Sequence, residues 1–74
     1  MDDMTWTNFT NKKVFIIVDT SVGERKYSGI VKEVTLLGKN IDGNENFLIL
    51  LNDFITNKLV GFSSSQIKLI QEER

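Results

Sequence analysis

The stretch that decides the fold is Lys26 to Leu37, KYSGIVKEVTLL. It is too rich in β-branched and aromatic residues, and too regularly alternating, to sit as a helix. Tyr27, Gly29 and Val31 fall on one face of an extended chain, and Ser28, Ile30 and Lys32 on the other. The alternation then slips, because Val34 follows Glu33 where a polar position is due. A slip of this kind inside a strand predicts a bulge or strong bend. Gly29 within the run predicts a tight bend or a close backbone approach. The segment therefore reads as one long, sharply curved β-strand.

Working outward, four shorter strands and one N-terminal element complete the chain. Lys13 to Thr20, KVFIIVDT, is a strand apolar on both faces, which predicts cover on both sides. Ser21-Val22-Gly23-Glu24 turns it into the long strand. Gly38 to Asn46, GKNIDGNEN, is a polar loop with Asp42-Gly43 as its turn signal. Phe47 to Asn52 is the third strand, Lys58 to Ser63 the fourth and Ile67 to Gln71 the last, with Ser64-Ser65-Gln66 as a brief break. Residues 1 to 12 are largely polar, with two large apolar residues, Trp6 and Phe9, whose spacing puts both on one side of a helical turn with Thr5 as N-cap. They read either as a lid over the core or as an exposed aromatic pair. Glu72-Glu73-Arg74 reads as a solvated tail.

No connection holds a helix long enough for a parallel crossover, so the strands must run antiparallel. Five short antiparallel strands, one of them bent, describe a small SH3-like or OB-like barrel. The gap from Asp53 to Asn57 is too short for the helix of an OB-fold, which favours the SH3-like arrangement. The expected class is all-β with a short N-terminal helix, as one domain spanning 1–74: helix or lid 1–12, barrel 13–71 and tail 72–74.

Composition narrows the functions. The 74 residues include no Cys, His or Pro. That removes disulfides, thiolate or imidazole metal ligation and histidine-based catalysis. No metal, no cofactor and no enzyme activity is expected. Asp19 and Asp53, the carboxylates one would pair for acid–base work, both follow apolar strands at positions where Asp forms turns. A chain this short buries a modest fraction of its surface, and without staples the common remedy is self-association. Nine basic against ten acidic residues leave a net charge of −1, unlike a domain that grips duplex DNA. The longest apolar runs, Val14 to Val18 and Phe47 to Leu51, are five residues, far short of a membrane span. The start Met1-Asp2-Asp3 lacks a basic-then-apolar signal pattern, so a cytoplasmic location is expected.

Two half-motifs then stand out. Tyr27-Ser28-Gly29-Ile30-Val31-Lys32-Glu33-Val34, with Asn46-Phe47-Leu48-Ile49-Leu50, is similar to the first motif of the Sm-like proteins, roughly aromatic-x-G-x-[LV]-x-x-[FV]-D followed by N-L-x-L. Phe62-Ser63-Ser64-Ser65-Gln66-Ile67 has the length and apolar ends of the family's second motif, I-R-G-x-x-I. The chain thus resembles a divergent Sm-like protein over about residues 5 to 71. Thr35 stands where the family has Asp, though Asp42 lies at the family's spacing from Asn46; Glu45 occupies the base-stacking position, and Ser63-Ser64 replace Arg-Gly.

The resemblance implies a ring of six or seven copies in which the fourth strand of one subunit pairs with the fifth of the next. It implies single-stranded RNA bound at the pore by Asp42, Asn44, Asn46, Ser63 and Ser64. The edge strands support the first implication independently, since Leu59, Val60, Phe62, Ile67, Leu69 and Ile70 supply apolar surface for an interface and no Pro blocks pairing. The expected partners are a second copy of the chain and RNA, with no membrane; a structural or protein-interaction ring without nucleic acid is the alternative. The loop Asp42-Gly43-Asn44-Glu45-Asn46 also alternates oxygen ligands as a calcium loop does, but lacks flanking helices and a distant bidentate Glu. It reads otherwise as a solvated hairpin or a ligand loop. Arg25, Lys26 and Lys39 beside Tyr27 read either as mixed surface charge or as a basic rim.

Overall fold

A computed structural model of the chain describes residues 6–73. Five antiparallel strands form one sheet: β1 (Lys13–Thr20), β2 (Gly23–Lys39), β3 (Glu45–Asp53), β4 (Leu59–Ser63) and β5 (Ile67–Glu72). Their order across the sheet is β4-β3-β2-β1-β5. Two single 3-10 turns complete the structure, at Trp6–Phe9 and at Ser64–Gln66. No helix among the described residues is long and apolar enough to cross a membrane. Among the described residues the expected N-terminal helix is the single 3-10 turn Trp6–Phe9, and the expected Thr5 cap lies outside them.

The long second strand is bent where its sequence predicts. Its pairing with β3 shifts register between Val31 and Glu33, and again between Leu36 and Gly38. At the first shift the N-terminal segment meets it: Asn11 N–H donates to the Val31 carbonyl (2.7 Å), and Val31 N–H donates to the Lys12 carbonyl (3.0 Å). Asn11 takes a positive φ of 66° to turn from the 3-10 segment into β1. Trp6 and Phe9 pack against the core, as a lid would. Gly29 lies against the facing strand so closely that a Cβ there would sit 2.0 Å from the Asn52 carbonyl oxygen.

The core occupies one face of the sheet. Val14, Ile16 and Val18 of β1, Val31 of β2, Ile49 and Leu51 of β3 and Phe62 of β4 are buried. Tyr27 packs its ring on Phe62, centroids 4.8 Å apart, and belongs to this cluster rather than to a surface rim. On the reverse face Phe15 and Ile17 are half-buried, so β1 is fully covered on one side only.

Four expectations are corrected. The sheet does not close into a barrel: β4 and β5 lie at its two opposite edges, and the three-residue turn Ser64–Gln66 carries the chain from one edge to the other. Phe62, expected at an assembly surface, is 7% exposed and is core, because its pairing with Ile49 points it to the buried face. Val60, Ile67 and Ile70 also pack against the core, leaving Leu59 (57% exposed) and Leu69 (42% exposed) as the open apolar positions of the edge strands. The polar loop between β2 and β3 is shorter than expected, residues 40–44, since Lys39 pairs with Glu45 and Gly38 with Asn46. The tail begins later as well: Glu72 pairs with Val14, and Glu73 N–H donates to the Lys13 carbonyl (2.8 Å).

Candidate functional site

Ser63 ends β4 and caps the 3-10 turn that follows. Its backbone is extended (φ −78°, ψ 140°), its hydroxyl accepts the Ser65 N–H (3.3 Å), and its own N–H donates to Gln66 Oε1 (3.1 Å). This reciprocal arrangement is a capping box, which satisfies two backbone donors that a helical start leaves unpaired. The S-x-x-Q spacing of Ser63 to Gln66 is its sequence signature, and it was readable from the chain alone.

Asn46, the second residue of β3, lies beside this turn. The Ser63 hydroxyl donates to Asn46 Oδ1 at 2.7 Å and the Ser64 hydroxyl donates to the same atom at 3.2 Å. Ser64 Oγ accepts the Phe47 N–H at 2.9 Å, tying the turn to the neighbouring strand. A hydroxyl has one proton and two lone pairs. With both serine protons directed at Oδ1, the contact between Ser63 Oγ and Ser65 Oγ (2.8 Å) is donated by Ser65. The amide of Asn46 is therefore held by its oxygen, and among the described residues its Nδ2 has no protein acceptor. The cluster presents an oriented two-proton donor at the meeting point of β3 and the Ser64–Gln66 turn.

Asp42 and Asn44 do not join this cluster. They bind each other: Asn44 N–H donates to Asp42 Oδ1 and Asn44 Nδ2 to Asp42 Oδ2, both at 3.1 Å. The loop is closed by Asn40 N–H to the Asn44 carbonyl (2.7 Å) and Gly43 N–H to the Asn40 carbonyl (2.9 Å), with Gly43 at φ 89°. The two groups are neighbours nonetheless. An open recess of about 510 Å³ lies between them, lined by Asn40, Ile41 and Asp42 of the loop and Ser65 of the turn. Ile41 is fully exposed, an apolar side chain with no cover from the rest of the chain. Neither Ile41 nor Ser65 carries a sequence pattern that marks it for this position.

The remaining charged residues are placed elsewhere. Arg25 and Lys26 pair with Val18 and Ile17 at one end of β2, while Lys39 faces Glu45 at the other, so the three do not form one rim. Lys68 is ion-paired with Glu24, which holds the Glu24 carboxyl below and the Lys68 amine above their ordinary pKa values. Asp53 is buried and committed to the turn after β3: it accepts the Thr56 hydroxyl (2.8 Å) and the N–H groups of Thr56 (3.3 Å) and Ile55 (3.4 Å). The Thr56 hydroxyl bond leads in lowering its pKa, against the opposing effect of burial. Asp19 is no partner for it. Asp53 pairs with Gly29 and Gly29 with Val14, so Asp19 lies two strands across and five residues further along β1, which is roughly 16 Å of strand beyond Val14.

Compared with known proteins, the chain matches no family model, no curated protein and no solved structure.

Proposed function

We propose that this chain is an Sm-like, cytoplasmic subunit that assembles edge to edge into a closed ring of six or seven copies and binds single-stranded RNA where the β2–β3 loop meets the β4–β5 turn. The observation that carries the reading is the strand order β4-β3-β2-β1-β5. It leaves β4 and β5 as the two free edges of one sheet, and a free edge is a row of unpaired N–H and C=O groups that another chain can complete. Pairing β4 of one copy with β5 of the next is heterologous, and such contacts close into a ring when their rotation divides a circle.

The reverse face of the sheet supports this assembly. Leu59 and Gly61 on β4 share that face with Leu48 and Leu50, and both leucines lie over Gly61, with δ-carbons 3.3 and 3.4 Å from where its Cβ would be. At the other edge Leu69 pairs with Ile17 on the same face, beside Phe15. Joining the edges merges these two apolar strips into one. The RNA reading rests on the cluster at the turn: Asn46 Nδ2 is an oriented donor for a base carbonyl or a phosphate oxygen, with the serines as its support. In a ring each copy repeats this donor around one opening.

A second reading, a ring that binds protein and not nucleic acid, is favoured by charge. The net charge is −1, and neither the cluster nor the recess contains Lys or Arg, so RNA would be held without charge-assisted phosphate contacts. Two measurements separate the readings. Native mass spectrometry should give a closed multiple of 8.5 kDa. Fluorescence anisotropy with short U-rich and A-rich RNAs at moderate salt should then saturate. A ring that shows no saturable binding below about 10–100 μM, the range of non-specific electrostatic contact, leaves only the second reading.

A further inference from the structure

The sheet has a further open edge besides β4 and β5. β1 covers β2 from Gly23 to Ile30, the N-terminal segment extends that cover to Val31, and β3 pairs with β2 on its other side as far as Lys39. Among the described residues, the side of β2 that faces away from β3 is therefore bare beyond Val31. Leu36 (52% exposed) and Leu37 (55% exposed) lie in this stretch. We infer that two copies of the chain join here, the bare edge of β2 in one pairing antiparallel with the same edge in the other about a two-fold axis through Thr35. This contact goes beyond the ring and uses neither β4 nor β5.

The backbone sets the register. Residues of one strand whose side chains share a face present their N–H and C=O groups to the same side. Val31 is on the buried face, and both its groups point away from β3, to Lys12 and Asn11. Val34 and Leu36 pair with Ile49 and Phe47, which belong to the core or pack against it, so they share that face and their groups also point away from β3. Centred on Thr35, the pairing sets Val34 opposite Leu36 twice, and each such pair exchanges two bonds, about four across the joint. A centre between two residues is excluded, because it would oppose side chains from different faces. The side chains match as well. Leu36, bare in one copy, gains Val34 of the other as its cross-strand neighbour, Thr35 meets Thr35, and Lys32 and Lys39 are not set opposite each other. Both copies use the same segment, so the contact closes at two rather than propagating. One short pair of strands buries less than the roughly 1,200 Å² at which stable interfaces begin. The joint is therefore weak, and dilute chain does not hold it.

The chain contains no cysteine, so one introduced cysteine reports one contact. Oxidised with copper phenanthroline at high protein concentration, Thr35→Cys should give a disulfide-linked dimer on a non-reducing gel. Residues on the axis have Cα atoms about 4.5 Å apart, within the reach of roughly 4.4–6.8 Å of a disulfide. Glu33→Cys is the control: Glu33 is exposed on the same strand, yet its two copies would stand roughly 13 Å apart at the rise of a strand. Thr35→Cys should link at least about tenfold faster, since it alone meets the geometric requirement. Adding Leu36→Glu to Thr35→Cys should slow the link about tenfold, because it sets a charge against Val34 in the joint. All three positions are exposed, and unchanged circular dichroism would show that the variants fold. Equal rates for the two cysteines, or a Thr35→Cys rate unmoved by Leu36→Glu, overturns the inference. A heterologous ring sets no residue opposite its own copy, so the ring reading neither produces this link nor falls with it.

Discussion

Replacing Gly29 with alanine tests whether the close approach of β2 to β3 sets the curvature of the sheet. The Cβ would lie 2.0 Å from the Asn52 carbonyl oxygen, 2.8 Å from its carbon and 3.2 Å from the Asp53 Cα. All three are backbone atoms of the paired strand, and no rotamer change can move them. The strands must part by more than 1 Å at the Gly29–Asp53 pair, about the gap between that contact and an ordinary carbon–oxygen separation. Parting them loosens the neighbouring bond from Phe54 N–H to the Ser28 carbonyl, now 2.9 Å. Overpacking of this kind costs about 1–3 kcal/mol, and each weakened hydrogen bond adds about 1 kcal/mol. The entropy lost by the unfolded chain on Gly→Ala offsets about 0.4–1 kcal/mol. The net destabilisation is about 1–4 kcal/mol, out of roughly 4–11 kcal/mol for a chain of this length. Gly61→Ala is the control, because its Cβ would meet only leucine methyl ends at 3.3 and 3.4 Å. It should stay within about 1 kcal/mol of the parent. Urea unfolding followed by circular dichroism, at one fixed protein concentration, measures both. A Gly29→Ala chain as stable as Gly61→Ala would refute the steric argument.

Two further outcomes follow from the edges and the β3–β4 turn. Leu69→Asp should reduce the native mass to that of the 8.5 kDa monomer with an unchanged circular dichroism spectrum, because a buried unpaired charge costs several kcal/mol at an interface but little on an exposed edge. An intact assembly would place the interface elsewhere, and Phe62 is unsuited to the same test because it is core. Asp53 has a folded pKa below its ordinary value, so its contribution to stability is complete above the unfolded pKa of about 3.9 and is lost as pH falls through the folded value. The urea midpoint should therefore drop below about pH 4, and Asp53→Asn should flatten that drop; an equally steep drop in the variant would mean that other carboxylates carry it.

What could be read from the chain depended on whether a residue's role was local. The slip after Lys32 and the glycine at 29 are local signals, and the bulge and the close approach lie where they point. Asp53 followed by Thr56 is likewise a local turn former. The extent of the β2–β3 hairpin was not legible, because Lys39 and Glu45 pair beyond the core where no buried face enforces an alternation. Nor could composition tell Phe62 from Leu59. Both are apolar residues on an edge strand; their spacing of three puts them on opposite faces, but only the pairings Phe62–Ile49 and Leu59–Asn52 show which of the two faces is buried. The candidate site was legible in part for the same reason. Asn46, Ser63 and Ser64 meet through long-range pairing of β3 with β4, while Asp42 and Asn44, five and more residues from any core position, fold back on each other.

In the proposed ring, the Ser64–Gln66 turn would tie assembly to binding. It is the segment that sends β4 and β5 to opposite edges of the sheet, and its first residues are the ones that hold Asn46. Any force that pairs those edges with neighbouring copies acts on a turn of three residues whose hydroxyls already anchor β3. A single copy can shift that turn at the cost of a few side-chain hydrogen bonds, each worth about 1 kcal/mol. With both flanking strands paired on their outer sides, the turn would be held at its two ends and the Asn46 amide with it. In the proposed ring, binding would then be stronger than in the monomer for a reason beyond the number of sites, since the donor would no longer lose conformational freedom on meeting its ligand.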